Sequence, residues 1–135
     1  MRTAGRELTV LVVDDEHAIC RALSMAFGHA GCHALTAESG EAALALLAQQ
    51  HVDALVLDLR IPDMRGDALL HLAAAMQPHL RHQTLFVTGD WDPRALALIG
   101  ACGAPLVRKP FQLVDVIESV FALVPGEGEG VGRRA

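Results

Sequence analysis

Two short apolar runs in this chain break off abruptly on acids. Leu8 to Glu16 reads LTVLVVDDE, and Ala54 to Met64 reads ALVLDLRIPDM. The β-branched and aliphatic residues from Thr9 to Val13 suit a strand buried on both faces. A carboxylate is costly to bury unless it is paired or holds a metal. The acids are therefore expected to lie together at the ends of neighbouring strands. Asp14, Asp15 and Asp58 would meet there around a divalent cation.

The rest of the chain repeats this alternation. Apolar residues from Ala18 to Ala30, among them Ile19, Leu23, Met25 and Phe27, predict a helix that Gly31 ends. A second strand is expected over Cys32 to Thr36, a helix from Ser39 through Gln50, and a third strand over Val52 to Leu57. Pro62 and Gly66 punctuate a loop before a helix from about Asp67 to Met76, which Pro78 closes. Thr84 to Val87 reads as the fourth strand, Pro93 to Ala101 as a helix with proline in its first turn, and Pro105 to Val107 as the fifth strand. The last helix runs from Leu113 to Leu123, with Leu113, Val116, Ile117 and Val120 on one side.

Strands alternating with helices imply a parallel sheet covered on both faces. In such sheets ligands bind beyond the carboxyl ends of the strands. Asp14 and Asp15 follow the first strand, Asp58 ends the third, Thr88 ends the fourth and Lys109 follows the fifth. Each alone has a plain structural explanation. An acid pair after a strand is a good helix cap, and a terminal Thr or an exposed Lys is ordinary. Together they put every polar outlier of the buried strands on one edge.

Composition bounds the function. A chain of 135 residues makes one domain with one good core. The net charge of −5 argues against a grip on nucleic-acid phosphates. The longest apolar run, Ala42 to Ala48, is far short of the roughly 18 residues of a membrane span, and the N-terminus carries no signal-peptide pattern. A cytoplasmic protein is expected. Cys20, Cys32 and Cys102 read as thiols rather than a disulfide framework. His29, Cys32 and His33 have ligand-like spacing, but no second cluster completes a zinc set. Residues 8–124 are expected to form the domain, with 1–7 and 125–135 as flexible tails.

The stretches VVDDE, LVLDLRIPDMRG, FVTGD and VRKPF, in this order and spacing, resemble the receiver domains of bacterial two-component response regulators. The resemblance covers about Leu8 to Val124. It implies a flavodoxin-like, doubly wound, five-stranded parallel sheet of order 2-1-3-4-5. It also implies that Asp58 accepts a phosphoryl group from a histidine kinase or phosphotransfer protein. Asp15 and Asp58 would bind Mg²⁺ directly, Asp14 mainly through water, and Arg60 through its backbone carbonyl. Thr88 would hydrogen-bond the phosphoryl oxygens, Lys109 would pair with their charge, and Lys109–Pro110 would be a cis step. The function expected is a phosphoaccepting signalling domain, not an enzyme with a separate substrate, that switches a protein-interaction surface. The downstream partner is unspecified and a homodimer is left open.

The chemistry agrees with these residue types. A carboxylate is a competent nucleophile toward phosphorus, and Mg²⁺ favours a few carboxylates together with waters and phosphate oxygens. Two other readings compete. A receiver-like docking module without phosphorylation would need no intact site, and a haloacid-dehalogenase-type phosphatase would place its nucleophile in a D-x-D motif after the first strand. The residue two beyond Asp58 is Arg60, not an acid. The chain departs from the family pattern at Leu106, where receivers commonly carry Tyr or Phe three positions before the lysine. The helix beginning at Pro93 is then expected to carry the signal by backbone movement. Arg60 and Asp90, each two positions beyond a site residue, form a candidate charged lid.

Overall fold

The structure is a computed structural model that describes residues 7–89 and 92–125. Asp90, and with it the proposed lid partner of Arg60, lies outside the described residues. So do residues 1–6 and 126–135, on which the flexible-tail expectation falls.

Five strands, β1 (Thr9–Val13), β2 (His33–Ala37), β3 (Ala54–Leu57), β4 (Thr84–Thr88) and β5 (Leu106–Arg108), alternate with α1 (His17–His29), α2 (Gly40–Leu47), α3 (Gly66–Met76), α4 (Pro93–Cys102) and α5 (Leu113–Leu123). The strands are all parallel, in the order β2-β1-β3-β4-β5. Fold class and strand order are those the residue pattern and the resemblance imply.

Side chains alternate across each strand, so the sheet supplies two cores. Leu11, Val13, Leu55, Leu57 and Phe86 pack under α2, α3 and α4 with Leu47, Leu69, Ala73 and Ile99. On the opposite face Val10, Val12, Val56, Leu85 and Val87 pack against Cys20, Leu23 and Phe27 of α1 and Val116 and Val120 of α5. Burial on both faces is why β1, β3 and β4 read as near-continuous aliphatic runs.

Several boundaries differ from the expected ones, each for a local reason. β2 starts at His33 because the Cys32 N–H donates to the Phe27 carbonyl at 2.9 Å and the Gly31 N–H to Gly28 at 3.1 Å. These bonds, with Gly31 at φ 91°, close the end of α1 and hold Cys32 out of the ladder. β3 starts at Ala54, since Val52 gives its N–H to Gln77 Oε1 and its carbonyl receives His79 Nε2. A 3-10 turn, Pro78–His82, was not anticipated after α3; its Leu80 carbonyl accepts the Thr84 hydroxyl at 2.7 Å. β5 lies one residue later than Pro105, and α2 stops at Leu47. Met25 and Leu113, expected on apolar helix faces, are exposed.

The first turn of α2 is capped twice. The Ala42 N–H donates to Ser39 Oγ at 3.1 Å. Asp63, from the β3–α3 loop, accepts from the Gly40 N–H (2.8 Å) and the Glu41 N–H (2.9 Å) with separate oxygens. These two donors hold its carboxyl below the ordinary 3.8. A depressed acid stabilises the fold fully above its unfolded pKa and loses that contribution as pH falls through the lower folded value. An NMR titration of the Asp63 carboxyl should therefore show a midpoint below 3.8.

Phe27 is fully buried, whereas Met25 two residues earlier is 58% exposed. Phe27→Ala should cost about 3–5 kcal/mol of unfolding free energy. Met25→Ala should change it by no more than about 0.5 kcal/mol. Urea unfolding of the two variants checks both.

Candidate functional site

The carboxyl ends of β1, β3, β4 and β5 converge on one rim of the sheet. Asp14, Asp58 and Thr88 are buried there, at 0%, 5% and 1% exposure. Backbone bonds fix each one. The Asp14 N–H donates to Ala37 O at 3.1 Å, the Asp58 N–H to Val13 O at 2.9 Å, and the Lys109 N–H to Thr88 O at 3.0 Å. The site residues are thus continuations of the ladder. The peptide bond Lys109–Pro110 is cis.

Lys109 is the centre of the group. Its Nζ lies 2.8 Å from Asp14 Oδ2, 2.8 Å from Glu16 Oε2 and 3.0 Å from Asp58 Oδ2. Burial by itself would lower the lysine pKa, but the Asp14, Glu16 and Asp58 carboxylates outweigh it and hold the ammonium above the usual lysine range. Burial pushes the Asp14 carboxyl up despite the lysine beside it, with the Asp58 charge adding to the push. Burial also raises the Cys20 thiol to about 11, so this thiol, donating to the Asp14 carbonyl at 3.2 Å, stays protonated.

The other carboxylate oxygens are held by backbone. Asp14 Oδ1 accepts the Glu16 N–H at 2.9 Å, and Asp58 Oδ1 accepts the Arg60 N–H at 3.2 Å. Asp14 Oδ2 differs: it is ion-paired with Lys109 at 2.8 Å, yet this buried oxygen has no hydrogen-bond partner.

Of the expected site residues, Asp14, Asp58 and Lys109 come together and Thr88 borders Lys109 on the next strand. Arg60 is exposed but tied to Asp58 through its N–H. Asp15 is exposed and stands outside the group of ligand-capable oxygens, which comprises Asp14, Glu16 and Asp58. Glu16 was the residue missed. It is the N-cap of α1, yet its side chain makes no capping bond and reaches Lys109 instead. The third acid of VVDDE was the available signal. Leu106, in place of an aromatic ring, pairs with Phe86 on β4 and packs partly buried against the core.

A family model described as "Response regulator receiver domain" matches residues 10–121. The chain belongs to the response regulator receiver domain family. Members are signalling domains rather than enzymes in the ordinary sense, and the Asp14, Glu16 and Asp58 cluster is the acidic pocket of this receiver. The transcriptional regulatory protein TcrX of Mycobacterium tuberculosis is 35% identical over 127 residues, 94% of this chain and 54% of that protein. FixJ of Rhizobium meliloti, also named as a transcriptional regulatory protein, is 30% identical over 84% of this chain and 55% of its own length. The chain therefore spans about half the length of these relatives. A CheY-like receiver domain from Methanospirillum hungatei superposes with a TM-score of 0.80 at 24% identity, covering 87% of this chain and 93% of that one, which attests the fold. Among the described residues, no helix is long and apolar enough to cross a membrane.

The two glycines flanking the receiver's site are not equivalent. A Cβ on Gly66 would lie 2.6 Å from the Asp58 carbonyl oxygen and 2.9 Å from Leu59 Cα, whereas one on Gly89 would meet only Lys109 side-chain carbons at 3.7 and 3.9 Å. Gly66→Ala should therefore cost about 1–3 kcal/mol through overpacking against rigid backbone. Gly89→Ala should unfold like the unaltered protein, and thermal denaturation of both compares them.

Proposed function

We propose that this receiver accepts a phosphoryl group on Asp58 from a phosphohistidine donor, a histidine kinase or phosphotransfer protein. The observation that carries the reading is the placement of Asp58. It is a buried carboxylate at a strand end, with the Lys109 ammonium on one oxygen and the Arg60 N–H on the other. A carboxylate oxygen attacks phosphorus, the donor's nitrogen–phosphorus bond breaks, and the electron pair leaves with the imidazole. Lys109 is positioned to follow the charge that gathers on the phosphoryl oxygens, and Thr88 offers its hydroxyl to one of them.

The pocket fits a hard divalent cation. Three carboxylates face one ammonium, and the buried Asp14 Oδ2 has no hydrogen-bond partner. In this reading Asp14, Asp58 and the Arg60 carbonyl hold Mg²⁺ with Glu16 beside them, and Asp15, which is exposed at the same strand end outside that group, would have to turn inward to join them. The ion supplies positive charge against the phosphoryl oxygens. Residues 8–124 form the working unit, and the cytoplasm is its compartment. TcrX and FixJ are named as transcriptional regulators, and this chain spans about half of each. The acidic receiver, with its net charge of −5, is here assigned to protein contacts rather than direct nucleic-acid binding.

Intact-mass analysis after treatment with acetyl phosphate tests this. One phosphoryl adduct is expected with Mg²⁺, and none in Asp58→Asn or in the presence of chelator. An adduct that persists in Asp58→Asn would refute the assignment.

A further inference from the structure

The β3–α3 loop is fastened at both ends. On the site side, the Arg60 N–H donates to Asp58 Oδ1 and the Gly66 N–H to the Leu59 carbonyl at 2.7 Å. Gly66 lies so close to the Asp58 carbonyl that no side chain fits between them. On the other side, both oxygens of Asp63 are bound to α2, on the Gly40 and Glu41 N–H groups. Met64 covers Gly40, where a Cβ would come within 2.7 Å of its side-chain atoms.

Apart from these bonds the loop is anchored by its apolar side chains. Arg60, Pro62, Asp63 and Arg65 are exposed, whereas Leu59, Ile61 and part of Met64 are buried against the core. An antiparallel bridge between Arg60 and Arg65 closes the loop on itself without fixing it to a neighbour. Apolar burial is non-directional and does not by itself set a backbone carbonyl to within a few tenths of an ångström. Two charge-assisted bonds to the positive end of a helix can.

We propose that Asp63 is a positioning residue for the metal site. By clamping the loop to the N-terminus of α2, it sets where the Arg60 carbonyl stands relative to Asp14 and Asp58. The proposal rests on the reading that these groups hold Mg²⁺. It makes the first turn of α2 part of the site's support, although none of its residues touches the carboxylate group. The coupling is reciprocal: a clamp that favours the metal is itself favoured by the metal.

A simpler role, capping α2 for stability alone, is separable because Ser39 caps the same helix from within it. Ser39→Ala removes a cap without touching the loop, whereas Asp63→Ala removes a cap and the clamp. Isothermal titration of the unphosphorylated full chain with MgCl₂ compares them. Asp63→Ala should weaken Mg²⁺ binding by about tenfold, the low end for supporting residues around a metal. Asp63→Asn, which keeps one acceptor oxygen, should fall between, and covers the case of an Ala variant that does not fold. Ser39→Ala should lose stability and keep the affinity. Hydrogen exchange at Gly40 and Glu41 should slow on adding Mg²⁺ to the unaltered protein, and not in Asp63→Ala. Unchanged affinity in the Asp63 variants, or an equal loss in Ser39→Ala, overturns the proposal. If the unaltered chain takes up no Mg²⁺, the reading of the site fails and the proposal falls with it. Uptake there beside unchanged Asp63 variants defeats the proposal alone.

Discussion

An ammonium shared by three carboxylates holds the functional rim of this domain together. Lys109 sits within 3.0 Å of an oxygen from Asp14, Glu16 and Asp58, which arrive from β1, the start of α1 and β3. Removing such charges from water is expensive, and their attraction repays the cost only when the geometry is good. Here the geometry comes from the sheet itself, because the residues follow directly from paired strands. One lysine balances one carboxylate and leaves two formal negative charges. That residual negative charge, concentrated at a rim beside a buried Thr, suits a hard cation rather than an anion.

The strands and the strand-end residues were legible because both are local signals. A β-branched run that stops on an acid carries its own address, and parallel order places successive strand ends on one edge. Asp14, Asp58, Thr88 and Lys109 could be found that way. What escaped is non-local. Glu16 reads as one more helix-start acid until β5 brings Lys109, 93 positions on, against it. Gly66 reads as loop punctuation, yet its lack of a side chain is demanded by the Asp58 carbonyl. The 3-10 turn after α3 depends on Gln77, whose amide answers the carbonyls of Leu47 and Gln50 from another part of the chain. Helix ends slipped by one to three residues because their closing bonds, such as Cys32 N–H to Phe27 O, carry no signature beyond a glycine.

Family membership and site geometry bear on different questions. The first places the chain among signalling receivers. The second says which side chains can act. Leu106 packs against the core with no hydroxyl to offer a ligand at the rim.

The two ends of the sheet are stitched by different materials. At the end opposite the site, Asp53 is buried and receives the Thr9 N–H at 2.7 Å, Gln83 bonds the Asp53 carbonyl, and His51 and His79 stack 4.7 Å apart. Both of those bonds join a side chain to backbone, and neither involves the carboxylate group around Lys109. At the site end, the same strands are joined through ionic groups whose balance shifts with every charge that enters or leaves. The sheet thus works like a vice with one fixed jaw: whatever binds at the rim re-sorts its own end and finds the far end already closed.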